Sequence, residues 1–73
     1  MMKDYHINIF YSEDDEGYIA DIPDLKACSA FAETPAQALA EVLVAKENWL
    51  AAAKANGKQI PPPKYRSVIY EIT

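Results

Sequence analysis

Cysteine, glycine and histidine are all scarce in this chain. Of 73 residues, one is cysteine (Cys28), one is histidine (His6) and two are glycine. A lone cysteine forms no internal disulfide, and without a Cys/His cluster no zinc site can be assembled. This usage suits a reducing compartment, and the cytoplasm is the expected location. No apolar run approaches the ~20 residues a membrane-spanning helix needs. No signal-peptide pattern precedes the first strand, and no membrane association is expected. His6 has no cysteine or serine placed to act with it as a nucleophile–base pair, and no phosphate-binding loop is present. Catalytic residues, metal ligands and cofactors are therefore expected to be none. The chain reads as a binding or assembly module, not an enzyme.

What is present folds. Hydrophobic residues make up 51% of the chain and aromatics 11%, too much for a disordered segment. The length fits a single domain, 1–73. A chain of this size buries only a little over about 60% of its unfolded surface, so its core is marginal. Small domains without disulfides or metals often offset this by oligomerising, and a homo-oligomer is expected. Charge is uneven. Residues 1–33 carry eight acids against Lys3 and Lys26, whereas residues 34–73 carry three acids against Lys46, Lys54, Lys58, Lys64 and Arg66. An acidic surface repels phosphates, so direct nucleic-acid binding is disfavoured and a basic protein partner is permitted.

Residues 4–12 alternate, with Tyr5, Ile7, Ile9 and Tyr11 on one side and His6, Asn8 and Phe10 on the other, which predicts a strand. Four consecutive acids, Glu13 to Glu16, and then Gly17 break it in a hairpin, with Gly17 able to take positive φ. Tyr18, Ala20 and Ile22 share one face of the return strand, which Pro23-Asp24 stops. Residues 27–32 read as a third strand. Tyr65 to Ile72 alternate again, as a fourth strand or as an arm that pairs with another subunit.

Thr34-Pro35-Ala36-Gln37 is a helix start. Threonine is the N-cap, proline occupies the first helical position and glutamine can close a capping box. The helix is predicted from Pro35 to about Asn56, with Gly57 just past its end. Its apolar arc holds Ala38, Leu39, Val42, Leu43, Ala45, Trp49, Leu50 and Ala53, with Lys46 in the middle. The opposite face, with Ala40, Val44, Ala51, Ala52 and Ala55, is not very polar either. A helix apolar on most sides tends to be covered on most sides, and a second chain is the economical cover. Lys46 is expected to snorkel past its neighbours or to pair with an acid from the sheet. Residues 61–63, three prolines, form a stiff extended connector.

Several side chains admit a functional and a structural reading. Asp14, Asp15 and Glu16, with Tyr18 at the start of the return strand, are the candidate partner-binding residues; the plain alternative is a solvated hairpin loop. Asp21 and Asp24 could be remnants of a two-metal site, but such a site needs several carboxylates converging on metals about 3.5–4 Å apart. Asp24 also suits a turn in which its side chain bonds the backbone. Cys28, flanked by apolar residues, reads as a buried and inert thiol. Trp49 suits core packing or an interface hot spot. Val44, Trp49, Tyr65 and Tyr70 are the candidate oligomer-interface or core residues, packing being preferred to base stacking for the two tyrosines.

The segment Gly17-Tyr18-x-Ala20-x-x-Pro23-Asp24-Leu25-x-x-Cys28, followed by Thr34 and Ala38-Leu39, resembles the HicB-like antitoxin family. Ala45-Lys46-Glu47-x-Trp49-Leu50-x-Ala52-Ala53 and Ile60-Pro61-x-Pro63 resemble its short members. The likeness covers roughly residues 3–63, the domain core, and leaves 64–73 as a C-terminal strand or arm. It implies an α+β, β-β-β-α-β domain: an antiparallel sheet packed on one long helix in a partial ribonuclease H-like fold. It further implies a dimer or tetramer and a role as antitoxin, masking a small basic HicA-like toxin that cleaves messenger RNA. Alternatives are a stand-alone oligomeric binding or regulatory module and a metal-dependent nuclease. Family members commonly have Pro-Gly where Lys26-Ala27 stand, so that turn is expected to be altered. A DNA-binding segment after the domain, usual in full antitoxins, is not expected in a chain that ends at Thr73.

Overall fold

A computed structural model of the chain describes residues 4–65. Three strands, β1 (Asn8–Ser12), β2 (Gly17–Asp21) and β3 (Ser29–Ala32), precede one helix, α1 (Pro35–Ala55). The strands form an antiparallel sheet in the order β1-β2-β3. The α+β architecture is as expected. The fourth strand or arm, and Tyr70 within it, lie outside the described residues.

The strands are shorter than alternation alone suggests, and the turn after β2 explains why. The last β1–β2 pair is Asn8 with Asp21. Beyond it, the Ile22 N–H is bonded to the Cys28 carbonyl at 3.0 Å, and Pro23 has no N–H to offer. Residues 5–7 are therefore left without a ladder partner on β2, although Tyr5 and Ile7 still pack against the core. Two consecutive turns follow. Leu25 N–H bonds the Ile22 carbonyl at 3.0 Å, and Cys28 N–H bonds the Leu25 carbonyl at 3.1 Å. In the second turn Ala27 has φ +60°, the left-handed region in which L-residues are strained. Third-strand pairing therefore begins at Ser29, not at Ala27.

The β1–β2 hairpin also corrects one expectation. Ser12 pairs with Gly17, and the residue with positive φ is Glu16, at 53°. Gly17 is needed for space. A Cβ there would lie 2.5 Å from two ring carbons of Phe31 and 2.9 Å from the Ala32 carbonyl oxygen.

Helix α1 begins and ends as its sequence signals require. Thr34 Oγ1 accepts from the Gln37 N–H at 3.2 Å and Pro35 opens the first turn. At the C-terminus Gly57 takes φ +68°. Its N–H bonds the Lys54 carbonyl at 3.1 Å, and Lys58 N–H bonds the Ala53 carbonyl at 2.8 Å, the paired bonds of a Schellman motif.

The core lies between α1 and one face of the sheet: Ala20, Ile22, Leu25, Cys28, Ala38 and Val42, with Tyr18, Ala30, Ala32, Ala45, Trp49 and Leu50 packed around it. Burial pushes the Cys28 thiol pKa up, with Lys46 acting weakly the other way. The helix lies mainly over β3 and β2. Ile9 and Tyr11, on the helix side of β1, are consequently left part-exposed, and so are Leu39, Leu43 and Val44 on α1. Lys46 resolves its place in the apolar arc by reaching Asp4, at 3.4 Å. The Asp4 carboxyl is held below its usual range, first by the Tyr5 N–H at 2.7 Å and further by Lys46, against a partial desolvation that raises it.

Candidate interaction surface

The predicted partner-binding residues gather at one end of the sheet. The Ser12–Gly17 pair closes a four-residue loop, Glu13 to Glu16, and all four acids are exposed. The Ser12 hydroxyl donates to Asp15 Oδ2 at 2.9 Å, which ties the loop to the strand. Asp14, Asp15 and Glu16 therefore form one acidic projection. Tyr18 stands one rung further in, half-buried on the helix side. It meets its cross-strand partner Tyr11 edge-to-face at 5.3 Å and 73°. That geometry is favourable for an aromatic pair and stiffens the base of the hairpin.

Of the second group of predicted residues, Val44, Trp49 and Tyr65 lie among the described residues. Val44 is on the outer side of α1 and 55% exposed. Trp49 is half-buried against the core, and its indole N–H donates to the Lys26 carbonyl at 2.9 Å, which ties the helix to the β2–β3 turn. Beneath that bond lies a hollow of ≈ 240 Å³ lined by Lys26, Trp49, Ala52, Ala53, Asn56 and Lys58. Tyr65 is at the opposite end of β1 from the hairpin, with its ring 4.7 Å from that of His6. The His6 ring also lies 2.6 Å from Asn8 Oδ1.

Asp24 has a structural task. Its carboxylate accepts the backbone N–H groups of Lys64 and Tyr65 at 3.1 to 3.2 Å. Together with the hydrogen bond from the Tyr5 hydroxyl to the Pro61 carbonyl, this holds the proline connector against the start of β1. The Tyr5 hydroxyl pKa is raised, mainly by desolvation and further by Asp24 and Asp4. Among the described residues no three His, Cys, Asp or Glu side chains group as metal ligands, and no helix is long and apolar enough to cross a membrane.

One feature the candidate residues did not include is an apolar row on the outer face of the sheet. Phe10, Ile19 and Phe31 are direct cross-strand partners. Their side chains alternate with the helix-facing Ile9, Ala20 and Ala30. The signal was in the sequence: Phe10 falls on the minority side of the β1 alternation, and Ile19 falls between Tyr18 and Ala20. Only the register shows that the three line up.

Comparison with known proteins shows a similarity to a cyanobacterial protein. The chain is 32% identical over 53 residues to UPF0150 protein ssl0259 of Synechocystis sp., with 73% of each chain covered. No protein-family model matches the chain, and no solved structure matches it. The aligned share runs well beyond any single motif, and on it the chain belongs to the UPF0150 family.

Proposed function

We propose that this chain is a HicB-type antitoxin that binds a small basic RNA-cleaving toxin stoichiometrically and masks it, without turnover. The observation that carries the reading is the hairpin of four acids, exposed and tied down by the Ser12–Asp15 bond. No lysine or arginine occurs from Asp4 to Leu25, so the hairpin's sequence neighbours on both strands leave its charge uncompensated. Such a projection attracts a basic surface, speeds encounter and sets orientation. UPF0150 membership and the sequence resemblance to HicB-like antitoxins support the same reading. Occlusion would be steric, with the hairpin acids meeting toxin cations that otherwise bind RNA phosphates.

Co-expression with the product of the neighbouring small open reading frame tests this. The expected result is a stoichiometric complex that weakens as salt rises; absence of a basic co-purifying protein sinks the reading. A stand-alone oligomeric module is the second reading, favoured by Leu39, Leu43 and Val44, each 37% to 55% exposed on α1. A stable oligomer by light scattering with no basic partner would select it.

A further inference from the structure

The Phe10–Ile19–Phe31 row has no cover among the described residues. Phe10 and Phe31 keep 49% and 48% of their surface exposed. The Phe31 ring lies against Gly17, where a Cβ would come within 2.5 Å of it. The ring is thus seated on backbone and presents its other side outward. The neighbouring rung on the same face is Asn8, Asp21 and Ser29, which places a carboxylate beside the apolar row. Next to Phe31, a hollow of ≈ 460 Å³ between β3 and the first half of α1 is lined by Glu33 and Glu41 among others.

We propose that this face is the anchor for a basic protein partner. Apolar side chains of the partner would lie on Phe10, Ile19 and Phe31, and its lysines or arginines would meet Asp21 on the same face and Glu33 and Glu41 around the β3 edge. The proposal rests on the masking role above and deepens it by adding a binding surface distinct from the acidic hairpin. Charge decides the occupant. Two copies of the face would bring Asp21, and the Glu33 and Glu41 beside Phe31, up against acids of the same kind. Nucleic acid would be repelled by the same acids even though aromatic rings can stack on bases. A basic protein satisfies both the apolar row and its acidic flank. Buried aromatic anchors surrounded by polar contacts are where interface energy concentrates.

The test uses the full chain and the basic protein that co-purifies with it. Phe10→Ser and Phe31→Ser should each weaken binding about 30-fold, the scale of a hot-spot residue. Asp21→Lys combined with Glu33→Lys leaves the aromatic row intact. It should slow association and flatten its salt dependence, and it keeps the test decisive should a phenylalanine variant fail to fold. Wild-type affinity in all variants overturns the proposal while the masking role stands. No basic partner for the wild-type chain overturns the masking role, and the proposal with it. One further result overturns the proposal alone: with partner affinity unchanged, loss of self-association in Phe10→Ser would show that a second copy covers the row.

Discussion

The indole N–H of Trp49 donates to the carbonyl of Lys26 at 2.9 Å, and the residue after Lys26 has φ +60°. One helix side chain thus clamps the turn that carries a strained alanine. The HicB-like pattern that the sequence resembles commonly has Pro-Gly at these two positions, a pair suited to a turn whose third residue needs positive φ. Here the turn is still closed by the Cys28 N–H on the Leu25 carbonyl, without the glycine. Ala27→Gly should therefore stabilise the chain by up to about 1 kcal/mol, since relief of left-handed strain exceeds the entropy glycine adds to the unfolded state. Trp49→Phe keeps most of the packing and loses the bond, for a cost of about 1 kcal/mol. Urea titrations of the two variants check both.

Gly17 is the converse case, where glycine is required by space and not by φ. Gly17→Ala drives a methyl into the Phe31 ring and the Ala32 carbonyl, and should cost about 1–3 kcal/mol, the range for overpacking. Adding Phe31→Leu should recover part of the loss, because the ring yields but the carbonyl does not. A double-mutant cycle on denaturation midpoints would show that coupling.

Tyr5 gives a pH dependence with a definite sign. Its hydroxyl donates to the Pro61 carbonyl, and burial raises its pKa in the folded state above the ordinary tyrosine value. A raised folded pKa contributes stability that is fully present below about pH 10 and lost as pH rises through the folded value. The difference in melting temperature between wild type and Tyr5→Phe should be constant from pH 7 to 9 and should shrink above pH 10. A difference that stays constant to pH 11 would refute the assignment.

Cys28 should react with a thiol reagent only when the chain opens. The thiol is buried and its pKa is pushed up by that burial, so little thiolate is available at neutral pH. The labelling rate in buffer should follow the opening equilibrium and rise to that of a free thiol in denaturant.

Much of this fold was legible because the signals were local. Thr34, Pro35 and Gly57 each act on neighbours within one turn, and each holds the position its chemistry specifies. The shared face of Tyr18, Ala20 and Ile22 follows from the two-residue period. What stayed hidden depends on contacts between distant positions. Gly17 reads as a turn residue until Phe31 is seen against it, and Ala27 gives no hint of positive φ. Lys46 could be assigned a partner in the sheet region, but not Asp4 by name. The acidic hairpin of Asp14, Asp15 and Glu16 was visible as a run, whereas the row of Phe10, Ile19 and Phe31 needed the strand register.

The bonds from Asp24 to Lys64 and Tyr65 span 40 and 41 positions. Closing so long a loop is entropically costly until other contacts have shortened it. The turn that holds Asp24 and the helix that delivers Lys64 must therefore both be in place before this latch can form. The passage over residues 61–65 is set to be the last part of the described chain to dock as it folds. As a late, surface-bound attachment it is also set to be among the first to detach, which makes it the natural starting point for local unfolding.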